Sequence, residues 1–222
     1  MFVAPHGAGA PDDPCVAAAW ARGIRVHDLA PDVLERVAGT ATPQPVLAIV
    51  GMTDVALETT LADPRPLVVC VDVRDPGNLG TILRSAEAAG AAGVVCCDGT
   101  VDVYNPKCVR ASAGALFHVS VVVGGEPVKV IDAVRAAGRP ALGAAAGRGS
   151  AYTDAPLGGA VAIVLGNEAS GLPADLDLHL DGLVHIPMDG RAESINVGMA
   201  GAVLCFEAAR QRRAAHAVVV DR

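Results

Sequence analysis

The sequence predicts an α/β protein: a mainly parallel sheet with helices on both faces, preceded by a smaller α/β unit. Three observations carry this reading. From residue 67 onward, short apolar runs alternate with helix-length segments, the pattern of strands covered on both faces. The chain has 222 residues, enough for one good-sized domain or for one domain with a smaller partner. Its residues are 52% hydrophobic but only 3% aromatic, so Ala, Val, Leu and Ile must fill the interior and stacking platforms for single-stranded nucleic acid are few.

Residues 1–65 mix short apolar segments with Pro, Gly and Asp. MFVAP is strand-like, IRVHDLAPDVLERVAG reads as a strand followed by a short helix, and PVLAIVGM reads as another strand. The unit opens abruptly, as an incomplete domain would. LADPRP reads as a linker, because its prolines hold the chain extended and lack amide donors. The expected division is therefore 1–65 and 66–222.

In the second part LVVCVDV is a strand, followed by a helix opening at Asn78, which is a good N-cap residue. Leu79, Ile82, Leu83 and Ala86 form its buried stripe, and Arg84 lies off it, within reach of Glu87. Then come the strand GVVCCD, a helix near PKCVRASAGAL, the strand VSVVV, a helix over VKVIDAVRAAG and the strands PALGAAA, AVAIVLG and LVHIPM. A long final helix starts at Ser194 as cap, with Asn196 in its first turn. Small residues at Gly198, Gly201, Ala202, Cys205 and Ala209 make one narrow face, suited to tight packing within the chain or to a dimer seam. Arg210, Arg212 and Arg213 suit that helix's carboxyl end through its dipole.

The formal net charge of −7 argues against a broad electrostatic footprint for nucleic acid, so any RNA contact is local, through Arg74, Arg84, Lys107, Arg110, Arg148 and Arg191. No apolar run approaches the roughly 20 residues needed to span a bilayer, and the start lacks a secretory pattern. A soluble cytoplasmic protein without membrane partners is expected. The cysteines lie mostly in apolar runs without CxxC or Cys/His spacing, so neither a zinc site nor a disulfide framework is indicated. Cys96 and Cys97 alternate across a strand, which predicts one buried thiol. His118 reads as a packed or edge residue, and His179 and His185 have no ligand partners in sequence.

Ligands of parallel sheets bind beyond the carboxyl ends of the strands. That rule singles out the turns after Val73, Leu165 and Ile186. The second, LGNEASGL, offers close backbone approach at Gly166 and a carboxylate at Glu168, but lacks both the dinucleotide glycine fingerprint and a phosphate-loop lysine.

Together the segments DPGNLGTILRSAEAAG, VLGNEASGL and IPMDGRAESINVGMA resemble, in order and spacing, the three motifs of the SpoU/TrmH branch of the SPOUT RNA methyltransferases, over roughly residues 67–213. The resemblance implies transfer of methyl from S-adenosylmethionine to a ribose 2′-hydroxyl of RNA, by a homodimer whose carboxyl-terminal domain folds as a trefoil knot. It also implies that residues 1–65 are the latter part of a ribosomal-protein-like substrate-binding domain, which favours ribosomal RNA over transfer RNA. The alternatives are a transfer RNA 2′-O-methyltransferase and a catalytically silent RNA-binding or assembly factor on the same fold. Carried onto this chain, backbone groups around Leu165, Gly166, Ile186, Met188, Ser194 and Ile195 hold the cofactor's adenine and ribose. Asn78, Arg84, Glu168, Ser194 and Asn196 form the polar centre, with Arg84 completing a site across the dimer and no metal involved. A guanidinium stays protonated, so on this reading Arg84 grips the phosphate beside the target ribose and steadies alkoxide charge while Asn78 orients it.

Overall fold

The computed structural model describes residues 1–4, 13–39 and 42–220. The chain divides between Met52 and Thr53 into two units, so residues 53–65 pack with the second unit rather than with the first as the sequence predicts. In the first unit β1 (Phe2–Val3) pairs in parallel with β2 (His27–Asp28) and antiparallel with β3 (Val46–Leu47). Helices α1 (Pro14–Ala21) and α2 (Val33–Val37) complete it. Helix α1 was not legible in the sequence; Asp13 caps it by accepting from the Cys15 amide at 2.8 Å. The buried apolar residues described here are few: Val3, Val16, Ala19 and Leu34.

The second unit opens with α3 (Leu57–Leu61), then β4 (Leu67–Cys70), α4 (Pro76–Ala89), β5 (Gly93–Cys96), α5 (Pro106–Ala111), β6 (Val121–Val123) and α6 (Pro127–Ala136). It continues with β7 (Ala141–Ala144), β8 (Ser150–Ala151), β9 (Ala162–Leu165), β10 (Gly182–His185) and α7 (Val197–Val220). The seven strands run in the order β6-β5-β4-β9-β7-β10-β8, every pair parallel. Side chains alternate between two buried clusters. Val68, Cys70, Ile163 and Leu165 face α4 and α7, whereas Leu67, Val69, Ala162 and Val164 share the other cluster with Ile131 and Val134 of α6.

That double covering corrects the expectation for the paired cysteines: Cys96 and Cys97 point to opposite faces and both are buried. Burial pushes the thiols of Cys96, Cys97 and Cys205 up to about 12 and that of Cys108 to about 11, and raises Cys70 in the same direction. The small-residue face of α7 is an intrachain packing surface, with Gly201 against Leu165 and Ile82. Glycine is likewise required at Gly80, where a Cβ would run into Ala111 of α5.

Two anchors set where the helices lie. Gln211 of α7 accepts from the Leu157 and Gly158 amides at 2.9 and 3.0 Å and donates to the Ala155 carbonyl at 3.0 Å. Arg212 donates to the Ala89 carbonyl at 3.0 Å, so it caps the carboxyl end of α4 rather than its own helix, which continues to Val220. Arg210 pairs with Glu207 one turn back.

LADPRP is not a free linker. Arg139, only 2% exposed, donates to the carbonyls of Arg65 at 2.9 Å, Leu61 at 3.1 Å and Thr60 at 3.3 Å, pinning the end of α3. Removing the guanidinium strands these acceptors in a dry setting. Arg139→Ala should therefore lower stability by about 2–4 kcal/mol, read as a reduced midpoint in urea unfolding.

Candidate functional site

Because all strands of the large sheet are parallel, the turns that follow β4, β7, β9 and β10 emerge at one edge. The turns after β7, β9 and β10 line a cavity of about 350 Å³, and the turn after β4 joins them through hydrogen bonds to Glu168. Leu165, Ile186, Ile195, Val197 and Leu204 give it apolar walls, and Gly166, Glu168, Met188 and Ser194 also border it. Thus every residue expected to hold a cofactor reaches one cavity. Gly166 must lack a side chain, since a Cβ there would meet the backbone of Gly171 and Leu172 as the turn closes on itself.

The turn after β4 starts α4 differently from the expectation. Asp75, not Asn78, is the N-cap: its carboxylate accepts from the Asn78 amide at 2.8 Å, with Pro76 at the first helical position. The Asn78 side chain is thereby left to bridge. Its Nδ2 donates to Glu168 Oε1 at 3.0 Å, and its Oδ1 accepts from Asn196 Nδ2 at 2.8 Å. Asn196 also replaces Ser194 as the cap of α7, its Oδ1 accepting from the Gly198 and Met199 amides at 2.9 and 3.2 Å. One amide side chain therefore fixes a helix start and joins it to the other two turns.

Glu168 receives two further donors, the Asp75 amide on Oε1 at 3.0 Å and the Arg74 amide on Oε2 at 3.2 Å. Partial burial pushes its carboxyl up, but the hydrogen bonds from Asn78 and from backbone amides outweigh this and hold it below the usual carboxylate value. Glu168 is an ionised acceptor, unsuited to acting as a proton donor.

Asn167 went unnoticed in the sequence. Its Nδ2 donates to the Asp72 carbonyl at 2.9 Å and to Asp72 Oδ2 at 3.1 Å, while its Oδ1 accepts from the Ala169 and Ser170 amides. It braces the turn that presents Glu168 against the turn that opens α4. The sequence also does not show that the Ala144–Ala146 segment, Asp177, His185 and Arg148, the last expected as an RNA contact, stand on the cavity wall. His185 is the informative one, because its Nδ1 is buried without a hydrogen-bond partner among the described residues. An orphaned ring nitrogen beside apolar walls fits a ligand with a flat heterocycle and polar appendages, such as S-adenosylmethionine. His118 is exposed, and His179 faces Asp132 at 2.9 Å.

Arg84 does not join this cluster within one chain. It lies six residues beyond Asn78 on α4, about 9 Å along the axis, exposed and absent from the cavity wall. Among the described residues it makes no ion pair, so the expected partnership with Glu87 is not formed. Among the described residues, no group of His, Cys, Asp or Glu is placed to hold a metal ion, and no helix is long and apolar enough to cross a membrane.

A parallel α/β sheet with an apolar cavity and a carboxylate–amide cluster at its carboxyl edge defines a protein that binds a nucleoside-like ligand. The SpoU rRNA methylase family model matches residues 65–206, and the chain belongs to that family. It is 38% identical over 184 residues to the 23S rRNA (guanosine(2553)-2′-O)-methyltransferase RlmP of Bacillus subtilis strain 168, covering 83% of this chain and 72% of the relative. Its fold is similar to that of the SpoU methyltransferase AviRb from Streptomyces viridochromogenes, with a TM-score of 0.81 and 31% identity over 96% of this chain and 82% of that one. It is also similar to an AdoMet-bound rRNA methyltransferase from Sinorhizobium meliloti, with a TM-score of 0.76 and 29% identity over 95% and 80% of the two chains.

The sign of the Glu168 shift gives a test. A depressed folded-state value means that the cluster's charge is fully present above the ordinary 4.5 and is lost only as pH falls through the lowered value. Carbon-13 NMR of the Glu168 carboxyl should titrate below 4.5; a midpoint near neutrality would make it a proton carrier instead.

Proposed function

We propose that this protein transfers methyl from S-adenosylmethionine to a ribose 2′-hydroxyl of large-subunit ribosomal RNA. The observation that carries the reading is a cavity walled by the turns after β9 and β10, whose Glu168 is hydrogen-bonded to Asn78 at the start of α4 and, through Asn78, to Asn196 at the start of α7. The relatives act on 23S rRNA by name, which supports the same substrate class here. A bacterial ribosomal substrate favours a cytoplasmic site of action.

When bound, the cofactor supplies an electrophilic methyl on a sulfonium leaving group. The chain's residues do the rest. Leu165, Ile186 and Ile195 enclose the adenine and exclude water, and backbone groups near Gly166 and Met188 fix its edge. Glu168, held ionised, orients the Asn78 amide, and Asn78 and Ser194 orient the ribose so that its hydroxyl lies in line with the methyl. Arg84 contributes as a fixed cation: it binds the neighbouring phosphate bidentately and steadies the alkoxide that develops as the hydroxyl proton passes to solvent.

Arg84 reaches the reacting centre from the second subunit of a homodimer. Support comes from its unpaired state, and from Met199 and Phe206, seven residues apart on one face of α7 and 62% and 48% exposed. The return of α7 from β10 to pack against α4 supports the threaded, knotted course. Residues 1–52 act as an RNA-binding unit of ribosomal-protein type, which their small mixed sheet with two helices accommodates.

Comparing ribose methylation of ribosomal RNA from cells with and without the gene should show one position that depends on it, restored in vitro by the purified protein. Arg84→Lys should lower kcat by about tenfold or more, because lysine cannot bind a phosphate through two parallel donors. Near-wild-type turnover would remove the guanidinium from the mechanism. Mixed dimers test the shared site: Arg84→Ala and Asn196→Ala subunits, each inactive alone, should regain activity when combined, whereas sites complete within one chain would stay silent.

A further inference from the structure

The cavity has a second polar wall that the methyl-transfer chemistry leaves unused. Arg148, in the turn between β7 and β8, pairs with Asp177 in the short 3₁₀ segment Leu176–His179, Nη2 to Oδ2 at 2.6 Å. Both residues border the cavity, as does His185. The turn carrying Arg148 lies along β10: the Ala145 amide donates to the Val184 carbonyl at 3.0 Å and the Tyr152 amide to the His185 carbonyl at 2.8 Å. A Cβ at Gly149 would meet the backbone of Leu183, so the turn approaches the strand as closely as glycine permits. The pair is only half used. Nε and Nη1 of Arg148 and Oδ1 of Asp177 have no other partner among the described residues.

We propose that Arg148 and Asp177 bind the zwitterionic amino-acid end of the cofactor, Arg148 taking its carboxylate and Asp177 its ammonium group; this rests on the S-adenosylmethionine reading of the cavity. The chemistry matches in number and sign: a guanidinium with donors to spare and a carboxylate with one open oxygen face a group bearing one negative and one positive charge. The placement matches as well. The three bonds of a sulfonium diverge, so a methyl presented to the Asn78 and Glu168 cluster and an adenosyl arm held by the apolar walls would leave the third arm to a different polar wall. Arg148 is 61% exposed and Asp177 27%, so the pair stands at the cavity mouth, where a flexible polar tail ends. The two residues are positioned for binding, not for bond making.

Calorimetry with two ligands separates this tail from the rest of the molecule. S-adenosylhomocysteine carries the amino-acid end; 5′-methylthioadenosine lacks it and keeps the adenine, ribose and sulfur. The wild-type protein should bind S-adenosylhomocysteine at least about tenfold tighter, and Arg148→Ala should weaken that ligand by about tenfold, the scale of a lost charge-assisted hydrogen bond. Binding of 5′-methylthioadenosine should stay within about twofold of wild type, as expected for a contact that ligand never makes, which also certifies the fold of the variant. Asp177→Asn should show the same selectivity. Equal weakening of both ligands, or of neither, would overturn the assignment, as would a wild-type protein that binds the two equally. A wild-type protein that binds neither ligand would instead bring down the cofactor reading itself, and this assignment with it.

Discussion

The site depends on one carboxylate that is never allowed to be alone. Glu168 gathers donors from the Asn78 side chain and from the amides of Arg74 and Asp75, groups 90 to 94 residues away in the chain. Each donor would otherwise point at water or at nothing, and the carboxylate would carry the cost of partial burial without return. Because Asn78 passes the connection to Asn196, the starts of α4 and α7 are held at a fixed separation. The seam between those helices follows from this, with Gly198 against Thr81 and Gly201 against Ile82.

The division of labour between apolar and polar surfaces follows from the sheet. Strands buried on both faces have no polar side chains to lend, so function is confined to the turns beyond their carboxyl ends. β4 and β9 lie side by side, which brings the turn bearing Glu168 next to the turn that opens α4. Asn167 fastens those two turns directly through Asp72, whose backbone takes the left-handed conformation (φ 55°) that so close a junction needs.

Much of this was legible in the sequence, and the failures have physical causes. The strands announced themselves as apolar runs, and the three turns as places where glycine, asparagine and a carboxylate recur. The helix starts were misplaced because each offered two capping residues: Asp75 and Asn78 in one case, Ser194 and Asn196 in the other. Pro76 was the deciding clue in the first, since proline belongs just inside a helix and its predecessor outside. The second offered no such clue. Nothing in AAAGRGS marks a cavity wall, because Arg148 and His185 gain their role from strand order: β7 and β10 are neighbours in the sheet although β8 and β9 separate them in the chain. The boundary at Met52 was hidden for a similar reason, since the partner that holds residues 60–65 is Arg139, far downstream.

The buried cysteines carry a consequence of their own. Cys70, Cys96, Cys97, Cys108 and Cys205 are all free, buried and strongly disfavoured as thiolates. The thiolate is the form that oxidants and alkylating agents attack. Burial and the scarcity of thiolate together shield these side chains from peroxide in the folded core, and Cys205, on the buried face of α7, becomes available to such reagents only when its own helix lifts away from the sheet.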